Sequence, residues 1–179
     1  MNVTFKTKNN ENAIIRKLEV KDAQAVLEYL KRVGSETEFL LFDSRGLGIT
    51  VDEEKIILDR FYNHPISLLL GCFINNEVVA IANLAVKERE RINHVSSIGI
   101  SVRKEYWHHG IGKKMMEIMI EYAQKSEQII TINLEVRLDN IHAINLYKNL
   151  GFLIIGSIPK AMKVNGKFYD HLIMYLDVS

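Results

Sequence analysis

Along the segment from about Asn93 to Lys125 the spacing of apolar residues changes from two to about 3.6. The stretch Asn93 to Val102 reads as a long strand. Ile111, Met115, Ile118, Met119 and Tyr122 then recur at helical spacing and mark a helix from about Gly110 to Lys125 with one apolar face. A strand that feeds such a helix has to lie in a sheet on which the helix can bury that face. The chain is therefore α/β in class.

The flanking segments extend this reading. Ala13 to Leu18 is a strand, and a helix follows from about Lys21 to Arg32, with Gly34 as its expected stop. Ser35 to Ile49 is a loop that carries the apolar cluster Phe39 to Phe42. Thr50 and Glu53 have capping-box spacing, so a second helix should run from there to about Tyr62, ahead of Pro65. Strands are expected over Ser67 to Ile74 and Val78 to Lys87, joined by a tight turn at Asn75-Asn76. After the central strand and helix come a strand from Ile129 to Val136 and a helix from Asn140 to Leu150, stopped by Gly151. Strands over Phe152 to Ile158 and Lys167 to Asp177 close the chain. The order does not fit a doubly wound sheet, and no repeat or linker divides residues 1–179, which read as a single domain.

Charge and composition remove several functions. The 23 Lys and Arg against 22 Asp and Glu leave a net charge of +1, so no strong field gathers nucleic acid or an anionic membrane. The polar start MNVTFKTKNN lacks the apolar core of a secretory signal, and no apolar run approaches the ~18 residues of a membrane span. A soluble, cytoplasmic protein is expected. Cys72 is the only cysteine, which rules out an internal disulfide, and its LLLGCFI setting reads as a buried strand thiol. Among the six histidines, His108 and His109 are adjacent and have no carboxylate or cysteine at ligand spacing, so no metal is expected.

The connection between the long strand and its helix, Arg103 to Lys113, holds Gly110 and Gly112. Free backbone N–H groups and the positive end of a helix dipole suit a phosphate or diphosphate, and the missing Cβ atoms let oxygens approach the backbone. Met115 stands in place of the third glycine of a dinucleotide fingerprint, and Gly112-Lys113-Lys114 lacks the Ser/Thr of a P-loop. By spacing alone, Gly-x-Gly also fits a structural turn.

Val102, Tyr106, Gly110, Ile111 and Gly112 match in register the V-x-P-x-Y-[RQ]-x-x-G-x-[GA] motif of the GNAT superfamily. Asn140, Ala143, Leu146, Tyr147, Gly151 and Phe152 reproduce its N-x-x-A-x-x-L-Y-x-x-x-G-F pattern. On these residues the chain resembles that superfamily over roughly Arg16 to Leu176. The resemblance implies the GNAT acyl-CoA N-acyltransferase fold, a mixed, mainly antiparallel sheet of six to seven strands flanked by about four helices. It also implies acetyl-CoA as co-substrate and an amine as acceptor, with transfer by direct attack in a ternary complex. Amides of His108, His109, Gly110, Ile111, Gly112 and Lys113 would hold the pyrophosphate. Main-chain groups of Ile100 and Val102 would bond the pantetheine arm, and Asn140 would hold that arm and position its helix. Trp107 and Lys104 depart from the motif, which removes side-chain help to the diphosphate from position 107 and leaves the amides unaffected.

The resemblance places Tyr147 beside the thioester sulfur, where a phenol can protonate or stabilise the departing thiolate. An alkylammonium with pKa near ~10 costs about 4 kcal/mol to deprotonate at pH 7, so a base or a water chain is required. Glu135 is the candidate base, and it could equally order water or pair with Arg137. Glu36, Glu38 and Asp43 either offer negative charge to a cationic acceptor or belong to a solvated loop, which explains them equally well, and Ile158 to Lys167 should wall the other side of the acceptor site. The acceptor is a small-molecule amine or a protein N-terminus, and a homodimer is left open. The rival reading is an acetyl-CoA-binding or sensing module without turnover.

Overall fold

Eight strands and four α-helices alternate along residues 1–179 of the computed structural model, which describes the whole chain. In chain order they are β1 Asn2–Lys6, β2 Asn12–Lys17, α1 Ala23–Glu36, α2 Val51–Asn63, β3 Leu68–Ile74 and β4 Glu77–Val86. They continue as β5 Val95–Val102, α3 Ile111–Gln124, β6 Thr131–Arg137, α4 Ile141–Asn149, β7 Leu153–Val164 and β8 Lys167–Asp177. The sheet order is β1-β2-β3-β4-β5-β6-β8-β7, and β5 with β6 is a parallel pair in an otherwise mainly antiparallel sheet. The expected fold class holds, with one strand more than the six to seven expected. No helix is long and apolar enough to cross a membrane.

The chain divides into two compact units. The first comprises Met1–Ala85 and Gly99–Met119, and the second comprises Val86–Ile98 and Ile120–Ser179. In the first unit, Leu18, Val26, Tyr29, Leu30, Val33, Leu58, Phe73 and Val78 form one buried cluster. Thr50 and Glu53 form the expected reciprocal cap at the start of α2, with Thr50 N–H donating to the Glu53 carboxylate at 2.7 Å. Asn75 and Asn76 both take positive φ between β3 and β4, as a two-residue hairpin turn demands. Cys72 is buried in β3, and burial pushes its thiol pKa up to about 12, which leaves it an inert packing group.

Three boundaries differ from the sequence reading. The missed strand β1 carries only two apolar residues in alternation, Val3 and Phe5, both half-buried. Gly34 does not stop α1, which runs on to Glu36; it is glycine because a Cβ there would collide with the Asp43 carbonyl. The last strands also differ, because β7 continues past Pro159 to Val164. The Asn165-Gly166 turn, both at positive φ, joins it to β8, so Ile158 to Lys167 is mostly strand where a separate wall segment was expected. Proline is tolerated there because β7 is an edge strand and its register shifts between Ile158 and Met162.

Glu54 on α2 is only 3% exposed, and its Oε2 has no hydrogen-bond partner. Desolvation raises its pKa to about 7. A folded pKa above the unfolded value means that the folded state holds its proton more tightly. The associated stability is present below pH ~4.5 and is lost as pH rises through 7. Glu54→Gln should therefore melt near the parent temperature at pH 5 and several degrees above it at pH 8, a gain on the order of 2 kcal/mol. Melting curves at the two pH values check this.

Candidate active site

The pairing of β5 with β6 ends at Ser97 in the second unit, and the strand continues to Val102 in the first. A 3-10 turn over Lys104–Tyr106 then carries the chain to His108 and Gly110, both at positive φ, +66° and +87°. Lys114 N–H is the first to donate within α3, to the Gly110 carbonyl at 3.0 Å. The amides of Ile111, Gly112 and Lys113 precede it and point out of the helix start, where an anion can accept from them. His109 N–H already donates to Tyr106 at 3.4 Å. Of the amides expected to form the cradle, that of His109 is therefore engaged within the turn itself.

Side chains that the sequence did not mark hold this turn in place. The Trp107 indole N–H donates to the Val102 carbonyl at 2.8 Å, which closes the strand end onto the turn. Trp107 thus has a structural task at the position where the motif prefers Arg or Gln. The bond uses one of the two lone pairs of the Val102 carbonyl. Arg103 is buried beside three carboxylates, Glu36, Glu77 and Glu105, and Lys104 N–H donates to Glu36 at 2.7 Å. Glu36, offered above as a lure for a cationic acceptor, is therefore engaged in anchoring the turn to the end of α1. Asp43 is likewise engaged: the Arg45 guanidinium holds its pKa down at about 2.

The first unit also brings its N-terminal hairpin to the turn. Lys8 N–H donates to the His109 carbonyl at 3.0 Å, and the Asn9 side-chain amide lies 2.8 Å from His109 Nε2. His109 Nδ1 lies 3.5 Å from a Glu11 carboxylate oxygen, so its ring faces the hairpin.

In the second unit, Asn140 caps α4, its side-chain oxygen accepting from Ala143 N–H at 3.3 Å. At the other end of α4, Phe152 N–H donates to the Tyr147 carbonyl and Gly151 N–H to that of Lys148, both at 3.0 Å, with Gly151 at φ +93°. This is a Schellman cap, and its characteristic apolar contact is the pairing of the Tyr147 and Phe152 rings, 5.9 Å apart. The Tyr-x-x-x-Gly-Phe pattern thus has a physical meaning: it locks the tyrosine onto the helix end. Tyr147 is 8% exposed, and burial raises its pKa to about 12, so the phenol is neutral in the physiological range.

Glu135 on β6 is exposed, and His171 on β8 is buried, with its Nδ1 3.3 Å from Glu135 Oε2. Arg137, the alternative partner weighed above, instead pairs with Asp139 at 2.6 Å and stacks on Tyr169. His171, part of the closing Gly-x-x-x-x-His-x-x-Met strand pattern, was given no place at the site by the sequence, since its nearness to Glu135 depends on the β6–β8 register.

A profile of the acetyltransferase (GNAT) family matches residues 42–152. The chain belongs to this family. A GNAT acetyltransferase from Streptococcus pneumoniae, known by crystal structure, is 32% identical and superposes with a TM-score of 0.90, covering 93% of this chain and 99% of that one. The L-amino acid N-acetyltransferase AaaT of Escherichia coli is 28% identical over 158 residues, 88% of this chain and 93% of the relative. A Salmonella typhimurium acetyltransferase solved with its cofactor acetyl-CoA shares the fold at 17% identity, with a TM-score of 0.80 over 93% of this chain and 94% of that one. GNAT membership indicates an acetyl-CoA-dependent acyltransferase.

Proposed function

We propose that residues 1–179 form one catalytic domain that transfers the acetyl group of acetyl-CoA to a primary amine, with the α-amino group of a free L-amino acid as the first acceptor to test. The observation that carries the reading is the row of amides at Ile111, Gly112 and Lys113 that precede the first helical bond, a neutral anion cradle at the start of a 14-residue helix. The E. coli relative's name supports the acceptor class.

In this reading the amides bind the pyrophosphate, the main chain of Ile100 and Val102 bonds the pantetheine arm, and the Asn140 NH2 group holds the arm near the thioester. Glu135, held by His171, takes a proton from the ammonium directly or through water. The amine nitrogen attacks the thioester carbonyl and, cationic in the tetrahedral adduct, gives up its second proton as the adduct collapses; the C–S bond breaks, Tyr147 donates a hydrogen bond to the departing sulfur, and that second proton neutralises the thiolate.

If Glu135 is the base, Glu135→Gln leaves acetyl-CoA affinity unchanged, lowers turnover at pH 7 by about 10²-fold and recovers much of it toward pH 9, where free amine is plentiful. An unaltered pH–rate profile removes Glu135 from the mechanism. The acceptor is tested by comparing kcat/KM for L-amino acids, a polyamine and an N-terminal peptide. The highest value is expected with an L-amino acid, and a preference for the peptide would reassign the acceptor to a protein N-terminus.

A further inference from the structure

Beside the Gly110 turn lies a cavity of about 200 Å³, lined by Lys6 and Lys8 from the N-terminal hairpin and by Lys113 and Lys114 from α3, with Glu117 as its one carboxylate. Lys113 lies 3.7 Å from Glu117, which offsets one of the four positive charges. The Lys8 stem crosses Gly110, its Cγ 3.8 Å from where a Cβ would sit. The hydrogen bonds of Lys8 and Asn9 to His109 hold the hairpin there. Lys6 and Lys8 lie outside residues 42–152, which the family profile matches.

The excess of positive charge exceeds what a diphosphate already cradled by neutral amides requires. CoA carries a second anionic group, the dianionic 3′-phosphomonoester on its ribose. We propose that Lys6 and Lys8, with Lys114, form a binding site for that 3′-phosphate and make the protein select CoA over dephospho-CoA. Ammonium groups suit it, because a monoester presents its charge on three terminal oxygens that charge-assisted hydrogen bonds can reach. The inference rests on the acetyl-CoA reading above and adds the group by which the nucleotide end is recognised.

The test is calorimetric binding of CoA and dephospho-CoA to the full chain and to a Lys6→Gln/Lys8→Gln variant whose melting curve matches the parent's. The parent should prefer CoA by about tenfold or more, a preference that shrinks at high salt, and the variant should lose it by binding CoA more weakly while holding dephospho-CoA unchanged. A variant that keeps the parent's ratio overturns the proposal. So does one that weakens both ligands equally, which would assign the lysines to the diphosphate. A parent that binds neither ligand refutes the acetyl-CoA reading itself, and the 3′-phosphate site with it.

Discussion

Tyr147→Phe should lower kcat by about 10²-fold while leaving acetyl-CoA affinity and Tm close to the parent's. The side chain is buried, and Phe keeps the ring contact with Phe152 and the backbone bonds of the Schellman cap. Only the hydroxyl is lost. Its pKa of about 12 shapes the expectation. A CoA thiol resembles free cysteine, at ~8.5, so complete transfer from the phenol would be uphill by about 5 kcal/mol. Tyr147 should therefore act mainly by donating a hydrogen bond to the developing thiolate, a contribution at the lower end of the general-acid range. Steady-state kinetics, CoA binding and a melting curve on one preparation check this. Near-native turnover would show that water alone supports the leaving group.

Gly110→Val should weaken acetyl-CoA binding by about 10²-fold, the other large effect expected. Gly110 sits at φ +87°, which a β-branched residue adopts only at a cost of about 1–3 kcal/mol. Its Cβ would meet Lys8 at 3.8 Å, an ordinary contact, so the substitution does not collide with the hairpin. The loss should come from backbone strain in the cradle and from bulk where phosphate oxygens approach. Gly110→Ala separates the two, since it keeps most of the strain and little of the bulk, and should fall between Val and the parent. A folded Gly110→Val protein with native affinity in calorimetry would place the diphosphate elsewhere.

The sequence revealed most of the architecture because its signals were local. The change of apolar period at Val102, the Thr50–Glu53 cap, the Asn75-Asn76 turn and Gly151 each depend on a few neighbouring residues, and the structure reproduces them. What escaped depends on residues distant in the chain. Gly34 reads as a helix stop until the Asp43 carbonyl is seen against it. Strand β1 has too few apolar residues to announce itself, yet it starts the hairpin that reaches His109. Asn165-Gly166 is a local hairpin signal that the sequence reading passed over, and it joins β7 to β8 at positive φ.

For the candidate site, the glycine turn and the tyrosine motif were legible in outline, through resemblance more than through spacing. The supports were not. Trp107 reads as a departure from the motif and is in fact tied to the Val102 carbonyl. The Arg103 guanidinium draws its carboxylates from positions 36, 77 and 105, and Glu135 finds its partner 36 residues away. Such pairings follow from strand register and helix docking, which single-residue patterns do not encode.

The central claim, acetyl transfer from CoA to an amine, is tested most directly by following thiol release and acetylated product together on purified protein with acetyl-CoA and L-amino acids. The account predicts thiol and N-acetyl product in equal amounts, no burst of thiol before the amine is added, and loss of both in the Tyr147→Phe and Gly110→Val proteins in proportion to their kinetic defects. Tight binding of acetyl-CoA with no thiol release above the uncatalysed rate, whatever amine is supplied, would contradict it and mark the protein as a sensing module.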